Sequence, residues 1–483
     1  MTKLSSPLRR RMLISAGALP VLALLGDGTA RAATTEITGR LARYMAAARQ
    51  QALPDEVVLA CKHRIIDTFG AMVSGARLKP GLAAIDYVRS QGGTAQASVI
   101  ASNLRTTASN AALANAMFAH ADETDDFEPV TKAHPGCSSV PAALAMAEKN
   151  GASGMEFIRA VTLGYDLGCR LLMALGPDHV RGTHRSAEGV SSTFCALGAA
   201  APLAHLEERR MRFAISYAAQ QVSGLWSWVN DEDHVEKAFD FAGMGARNGV
   251  TAVTMAEAGL TGTNDVLDGA HNLLIALSAK PDPEAIVDRL GRRFFVTETA
   301  IKTSSVGYPC QSALDALLAL RTQHSLTPDL VRAVSIRLPT DAIGIVGDSA
   351  MPDVNCQHLV ALALWRGGVS FEDSHNASLM KTPEITAIRA RTRLTADPSL
   401  NDPSAPRGAI VELELADGRR VERHTRFAPG TMENPLSTDG VNAKVRDLLA
   451  PVLGASKTER LISALQSLET LDDVRRLRPL FTA

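Results

Sequence analysis

AIVELELADGRRVERH (residues 409–424) contains two runs in which apolar and polar residues alternate, separated by Asp417 and Gly418. Alternation of this kind is typical of half-buried β-strands, and Asp-Gly favours the tight turn of a β-hairpin. A further strand is predicted at AVSIRL (residues 333–338). These strands set their region apart from the rest of the chain, and we interpret the region as a smaller α+β domain.

On both sides of this region the sequence is rich in alanine and leucine. Its apolar residues recur about every 3.6 residues, which is the period of an amphipathic α-helix. In PAALAMAEKNGAS (residues 141–153), Pro141 suits a first helical turn and Gly151 suits the end of a helix. We therefore predict a mainly α fold, a large helical domain with an inserted α+β lid, and a ligand cleft between the two. The predicted parts are an export signal (1–32), the helical domain (33–293), the lid (294–427) and C-terminal helices that pack back on the helical domain (428–483).

The composition limits the possible partners. The 483 residues are 46% hydrophobic, enough for a sizeable core, and 50 basic residues nearly balance 51 acidic ones. With no long basic run and only 4% aromatic residues, nucleic acid is disfavoured as a partner, and a small molecule is expected. The six cysteines lack CxxC spacing, which disfavours a zinc knuckle or a disulfide scaffold, and most are interpreted as small buried hydrophobic residues. Whether any pair oxidises is left open.

The N-terminus has the three parts of an export signal in order: a basic cluster at Arg9–Arg11, a short apolar run and a small-residue site at Ala30–Ala32. The arginines resemble a twin-arginine signal, which is a receptor-read address. The apolar run is too short to span a bilayer comfortably. We therefore expect a periplasmic protein without a stable membrane anchor.

HADETDDFEPVTKAHPGC (residues 120–137) places five carboxylates, two histidines and a lysine between two apolar, helix-like segments. Such a loop is often merely solvated, but one held between buried helices is rigid enough to position chemistry. The stretch lacks the Asp-x-Asp-x-Asp-Gly order of a calcium loop, and the chain has no HExxH, P-loop or GxSxG motif. We therefore predict no metal and no cofactor, and expect proton transfer as the chemistry.

Several segments together resemble the MmgE/PrpD family, which includes 2-methylcitrate dehydratases, cis-aconitate decarboxylases and iminodisuccinate epimerases. The similarity covers nearly the whole chain after the predicted signal and depends on the order of its motifs. These are HADETDD with the following HPG, GYDLGCR (164–170), RGTH (181–184), KAFDFAGMGARNG (237–249), Lys302 through YPCQSALDAL and MPDVNCQHLVALALWRGGVSF (351–371). The resemblance implies a helical domain with an α+β lid and a homodimer.

The resemblance also implies a site formed by Glu123, His134, His184, Lys237 and Lys302. A histidine moves the proton, the lysines pair with substrate carboxylates, and Glu123 orients a histidine. Cations of this kind match a di- or tricarboxylate and stabilise carbanion or enolate character beside a carboxylate. The other carboxylates of the stretch are interpreted as local structure.

Four positions depart from the family pattern, and they leave the identity of the substrate open. Glu123 stands where the family usually has aspartate. Phe127 stands where a hydroxyl residue is frequent, His358 lies near a usual tyrosine, and Asp240 replaces a common histidine. We expect a lyase, with dehydration of an acid such as 2-methylcitrate as the leading reaction. Decarboxylation of a cis-aconitate-like acid and epimerisation of an iminodisuccinate-like acid are alternatives, as is a non-catalytic periplasmic binding protein.

Overall fold

A computed structural model describes residues 36–482. The predicted export signal lies outside this range. Within the described part of the chain, no helix combines the length and apolar character needed to cross a membrane. The expected periplasmic location and homodimer stay predictions.

The first part of the chain is a helical domain that contains one short hairpin, Ala97–Ser98 (β1) with Arg105–Thr106 (β2). Its helices are Ile37–Ala48 (α1), Asp55–Gly75 (α2), Lys79–Gln91 (α3), Ala108–Ala119 (α4), Gly136–Asn150 (α5), Gly154–Leu175 (α6), Pro177–Gly182 (α7), Ala187–Ala200 (α8), Glu208–Ala219 (α9), Val235–Ala238 (α10), Met244–Glu257 (α11), Leu273–Leu277 (α12) and Phe295–Glu298 (α13).

The second part is α+β, as the sequence predicts. Its strands are Val331–Leu338 (β3), Thr392–Ala396 (β4), Ala409–Leu415 (β5) and Arg420–Thr425 (β6), in the order β4-β3-β5-β6. The predicted hairpin is the β5–β6 pair, and β3 runs parallel to β4 and antiparallel to β5. The helices of this part are Gln311–Gln323 (α14), Thr340–Val346 (α15), Cys356–Arg366 (α16), Phe371–His375 (α17) and Pro383–Arg389 (α18).

The chain ends in Thr438–Leu453 (α19), Ala455–Gln466 (α20) and Arg478–Phe481 (α21), and α19 packs against α2. The first hydrophobic core joins these helices to the helical domain, whereas a second core is confined to Val306–Leu415. The boundaries predicted at residues 294 and 427 stay predictions. All six cysteines are buried free thiols, which agrees with their interpretation as small hydrophobic residues.

Helix α5 begins earlier than predicted, because Pro141 lies inside the helix and the first helical residue is Gly136. Gly136 donates its N–H to Asp126 Oδ1 at 3.0 Å. A Cβ at this position would lie 2.7 Å from both Asp126 Oδ1 and the Tyr165 hydroxyl, so only glycine allows this close approach. The end of α5 is as predicted, with Gly151 at φ 71°.

Candidate active site

The charged stretch 120–137 is buried except at Pro129 and Val130, so it is not a solvated loop. Two of its carboxylates shape its backbone. Asp122 accepts hydrogen bonds from Thr124 N and Oγ1, both at 2.8 Å, and Glu128 accepts from the backbone N–H of Val130 and from Thr131. These two acids match the interpretation as local structure.

A short antiparallel bridge brings Lys302 to the charged stretch. Phe127 N donates to Ala300 O at 3.0 Å, and Ala300 N donates to Phe127 O at 2.8 Å. Ser305, three residues after Lys302, has its Oγ 2.7 Å from Oγ1 of Thr124, within hydrogen-bond distance. The Lys302 side chain is consequently fixed against the carboxylates although it is distant from them in sequence.

Lys237 reaches the same place from α10. A π-helical segment, Phe239–Gly243, follows this helix before α11, and such segments are frequent at functional sites. Lys237 donates its backbone N–H to Asp231 Oδ2 at 2.8 Å, and its ammonium lies 5.1 and 5.3 Å from the ring centres of Trp228 and Phe241. The aromatic faces favour the cation at this position.

The two lysines and two carboxylates form a buried, charge-balanced cluster. Glu123 pairs with Lys237 through Oε1 and with Lys302 through Oε2 at 3.3 Å. Lys302 also lies 3.3 Å from Asp125 Oδ1. Burial opposes ionisation of Glu123 and Asp125, but the lysines and neighbouring histidines hold the pKa of both carboxyls well below the usual range. Burial opposes the charge on Lys302 as well, yet the two carboxylates raise its pKa.

Two histidines share Asp125. Its Oδ2 lies 3.0 Å from Nδ1 of His134 and 3.0 Å from Nδ1 of His120. An ionised carboxylate only accepts, so the contact keeps the proton of a neutral His134 on Nδ1 and leaves Nε2 free for proton transfer. Burial lowers the pKa of His120, whose ring stacks on Phe241 at 4.3 Å and is wholly enclosed.

A small cavity of about 40 Å³ lies against this cluster. Glu123, His134 and Lys237 line it, whereas Lys302 lies behind the carboxylates and does not reach the cavity wall. Phe127 supplies an apolar part of the wall, with its ring 4.3 Å from that of Tyr308. The cavity has room for only a few waters, so a larger ligand can enter only if the wall of the cavity moves.

The structure brings four of the five predicted site residues together and leaves His184 outside. His184 is exposed at φ 61° after α7, and its carbonyl accepts from Trp226 N. Its catalytic role stays a prediction. The departure at His358 lies in α16, enclosed and away from the cavity, where burial lowers its pKa to about 4.

The sequence interpretation missed three members of the cluster, Asp125, His120 and His234. The contact that orients His134 comes from Asp125 rather than from Glu123, and DETDD contains no signal that separates one acid from the next. His234 is enclosed with Nε2 4.0 Å from Glu123 Oε1, and burial beside Lys237 keeps its pKa well below the usual value. It immediately precedes α10, three residues before Lys237, and this closeness in sequence is a signal that could have found it.

Two sets of donors have a composition suited to a transition metal: His120 with Asp125 and His134, and His120 with Glu123 and His234. The two lysine ammonium groups already compensate both carboxylates, so a divalent ion would add charge to a balanced cluster. The donors therefore fit a metal poorly, and the prediction of no metal and no cofactor stays a prediction.

Asp122 also connects the charged stretch to the lid. Its Oδ2 lies 3.0 Å from Nε2 of His375 in α17, and the His375 ring stacks on Phe371 at 4.2 Å. Arg77 of the helical domain lies over the other ring of this pair, 5.1 Å from the centre of Phe371. The contacts of Asp122 and Arg77 fasten α17 to the helical domain, and the stacking within α17 joins the two rings that they hold.

We expect this fastening to weaken at alkaline pH. Burial opposes charge on His375, but Asp122 and Asp353 outweigh it and raise its pKa to about 9. A raised pKa gives stability that is complete below the unfolded pKa near ~6.5 and is lost as pH rises through about 9, on the order of 3 kcal/mol in full. The unfolding midpoint of wild type should therefore fall more between pH 7 and 9.5 than that of His375→Gln.

The matched control is His424→Gln, at an exposed position of β6, which should keep the wild-type pH dependence. Urea unfolding at a series of pH values measures all three proteins. If the unfolding midpoints of wild type and His375→Gln fell by the same amount between pH 7 and 9.5, the expectation would be contradicted.

Comparison with known proteins agrees with this architecture. The chain matches the MmgE/PrpD N-terminal domain over residues 39–286 and the MmgE/PrpD C-terminal domain over residues 305–470. It is 23% identical to the cis-aconitate decarboxylase-like protein oryM of Aspergillus oryzae, over 92% of this chain and 97% of that protein. It is 24% identical to cis-aconitate decarboxylase of Homo sapiens, over 87% and 89% of the two chains. With both domains matched in order, the chain belongs to the MmgE/PrpD family.

Proposed function

We propose that the protein is a lyase that acts on a small tricarboxylate and removes carbon dioxide from a cis-aconitate-like acid. The observation that carries the proposal is the contact of His134 with ionised Asp125 at the wall of a cavity that Lys237 also lines. It combines a group able to transfer a proton with a cation able to hold a carboxylate. The names of the relatives favour decarboxylation over the dehydration expected from the sequence.

The reaction requires only electrostatic positioning and one proton. As one carboxylate leaves as carbon dioxide, the electron pair of the broken C–C bond shifts across the neighbouring double bond and gives carbanion character beside a second carboxylate. Lys237 stabilises that charge. His134, which has first taken a solvent proton on Nε2, donates that proton to the carbon and returns to the neutral form with its remaining proton on Nδ1. A second solvent proton restores Nε2 for the next turnover.

The same residues suit the removal of a hydroxyl group, because that reaction also weakens a bond alpha to a carboxylate. Dehydration of a 2-methylcitrate-like acid therefore remains the second candidate reaction. The relative size of the two activities depends on the leaving group that the substrate presents near His134.

The test is incubation of the full chain in D₂O with cis-aconitate, 2-methylcitrate, citrate or iminodisuccinate, followed by NMR. We expect cis-aconitate to lose one carboxylate and its product to carry one solvent deuteron. Conversion of 2-methylcitrate to an alkene with all carbons retained, without turnover of cis-aconitate, would establish dehydration instead. Binding of these acids with no conversion of any would contradict a lyase and favour a binding protein.

A further inference from the structure

Two arginines from different parts of the fold line the same cavity as His134. Arg181 belongs to α7 of the helical domain, and Arg407 lies in the lid just before β5. Arg407 also lines two outer cavities, of about 150 and 500 Å³. It therefore lies where the outer surface and the buried cavity meet.

The guanidinium of Arg407 is held in place by hydrogen bonds within the described chain, but only one of its three nitrogens makes them. Its hydrogen bonds to described residues all run through Nη1, to Asp341 Oδ1 and Oδ2 at 2.8 and 2.9 Å and to the carbonyl of Pro406 at 3.0 Å. Its Nε is buried and has no hydrogen-bond partner within residues 36–482. The residue as a whole is only 7% exposed, so water cannot easily replace the missing partner. An unpaired buried donor is costly, and the Nε–Nη2 edge is the side of arginine that binds a carboxylate with two parallel N–H groups.

The wall of the small cavity has more positive than negative charge. Arg181 pairs with Glu188 at 2.6 Å, and its own Nε is likewise buried without a partner in the described range. Lys237 is a third cation on this wall, and Glu123 is the second carboxylate. Three cations thus line the cavity with two carboxylates, and a further anion would balance them.

We propose that the Nε–Nη2 edge of Arg407, with Arg181 beside it, binds a second carboxylate of the substrate at the mouth of the cavity. The inference deepens the proposed function, on which it rests, by assigning one substrate end to Lys237 and another to the arginines. The subsite selects a tricarboxylate over an acid with one carboxylate fewer. Because the two arginines belong to the helical domain and the lid, bound substrate also connects these parts.

The test is calorimetric binding at pH 7.5 of two unreactive ligands, tricarballylate and methylsuccinate, which lacks one terminal carboxylate of tricarballylate. Wild type should bind tricarballylate at least tenfold more tightly. Arg407→Gln should weaken tricarballylate about 10- to 100-fold, the loss of a charge-assisted bidentate contact, and methylsuccinate less than threefold. Arg407→Lys keeps the charge beside Asp341 but lacks the paired N–H edge, and it should still lose about fivefold for tricarballylate alone.

Arg423→Gln, an exposed position on β6, is the matched control and should bind both ligands as wild type does. The proposal would be overturned if the Arg407 variants lost the same affinity for both ligands, or lost none. It would also be overturned if wild type bound neither ligand. The readout is binding, so it separates the two proposals. If wild type converts cis-aconitate but Arg407→Gln still prefers tricarballylate over methylsuccinate as wild type does, only the subsite is refuted. If Arg407→Gln loses this preference but wild type converts none of the acids, only the lyase is refuted.

Discussion

Replacement of His134 by asparagine should lower kcat/KM for the confirmed substrate by about 10²- to 10⁴-fold, the usual contribution of a general acid or base. Asparagine can place an amide N–H near the position of Nδ1 and keep the contact with Asp125, which is 3.0 Å long in the structure. It has no counterpart of Nε2 that can carry and release a proton. The loss should therefore be in catalysis, with the unfolding midpoint changed little.

Steady-state kinetics and urea unfolding measure the two effects separately. His271→Asn, at an exposed position, is the matched control and should retain wild-type kinetics. A His134→Asn enzyme within threefold of wild type would remove His134 from the proposed mechanism.

The same assay applied to His184→Asn addresses the residue that the structure leaves exposed. Asparagine tolerates the positive φ of this position, so a change in rate reports on the imidazole. The family resemblance predicts a loss of about 10²-fold or more. A rate within twofold of wild type would limit the site to the buried cluster.

The parts of the fold that depend on local chemistry could be predicted from the sequence. The β5–β6 hairpin follows from alternation around Asp417 and Gly418, and the end of α5 follows from Gly151. The start of α5 could not be located in this way, because Gly136 is required there by Asp126 and Tyr165, which approach it from elsewhere in the fold.

In the site, too, local sequence features could be predicted, whereas contacts between distant parts of the chain could not. The charged stretch is visible as a dense run of acids, and resemblance selected Lys237 and Lys302, but the partner of each acid depends on contacts that span the chain. The Phe127–Ala300 bridge decides where Lys302 lies. Arg407 gave no signal in the sequence, because only the folded lid brings it to a cavity that it shares with Arg181.

The largest effect on stability is expected for Lys302→Met. The ammonium of Lys302 is enclosed and holds Glu123 and Asp125 in their ionised forms. Methionine fills most of the volume but leaves two buried carboxylates with less compensation. Removal of one member of a buried ion cluster typically costs about 3–5 kcal/mol of unfolding free energy. Activity should also fall about 10²-fold or more, because the carboxylate that orients His134 loses its neighbour.

The cost should depend on pH in a defined direction. In wild type the lowered pKa values of Glu123 and Asp125 contribute stability above the unfolded values near ~4, and this contribution is lost as pH falls below them. Lys302→Met should raise both pKa values, so its deficit should be full at pH 7 and should shrink as pH falls through the raised values, where the variant's carboxyls take up protons and those of wild type do not. Lys280→Met, at an exposed position, should match wild type at each pH in urea unfolding. A deficit that is absent at pH 7, or that stays constant from pH 7 down to the pH at which wild type unfolds, would mean that Lys302 does not hold these carboxylates ionised, and the charge-balanced cluster would have to be abandoned as the basis of the site.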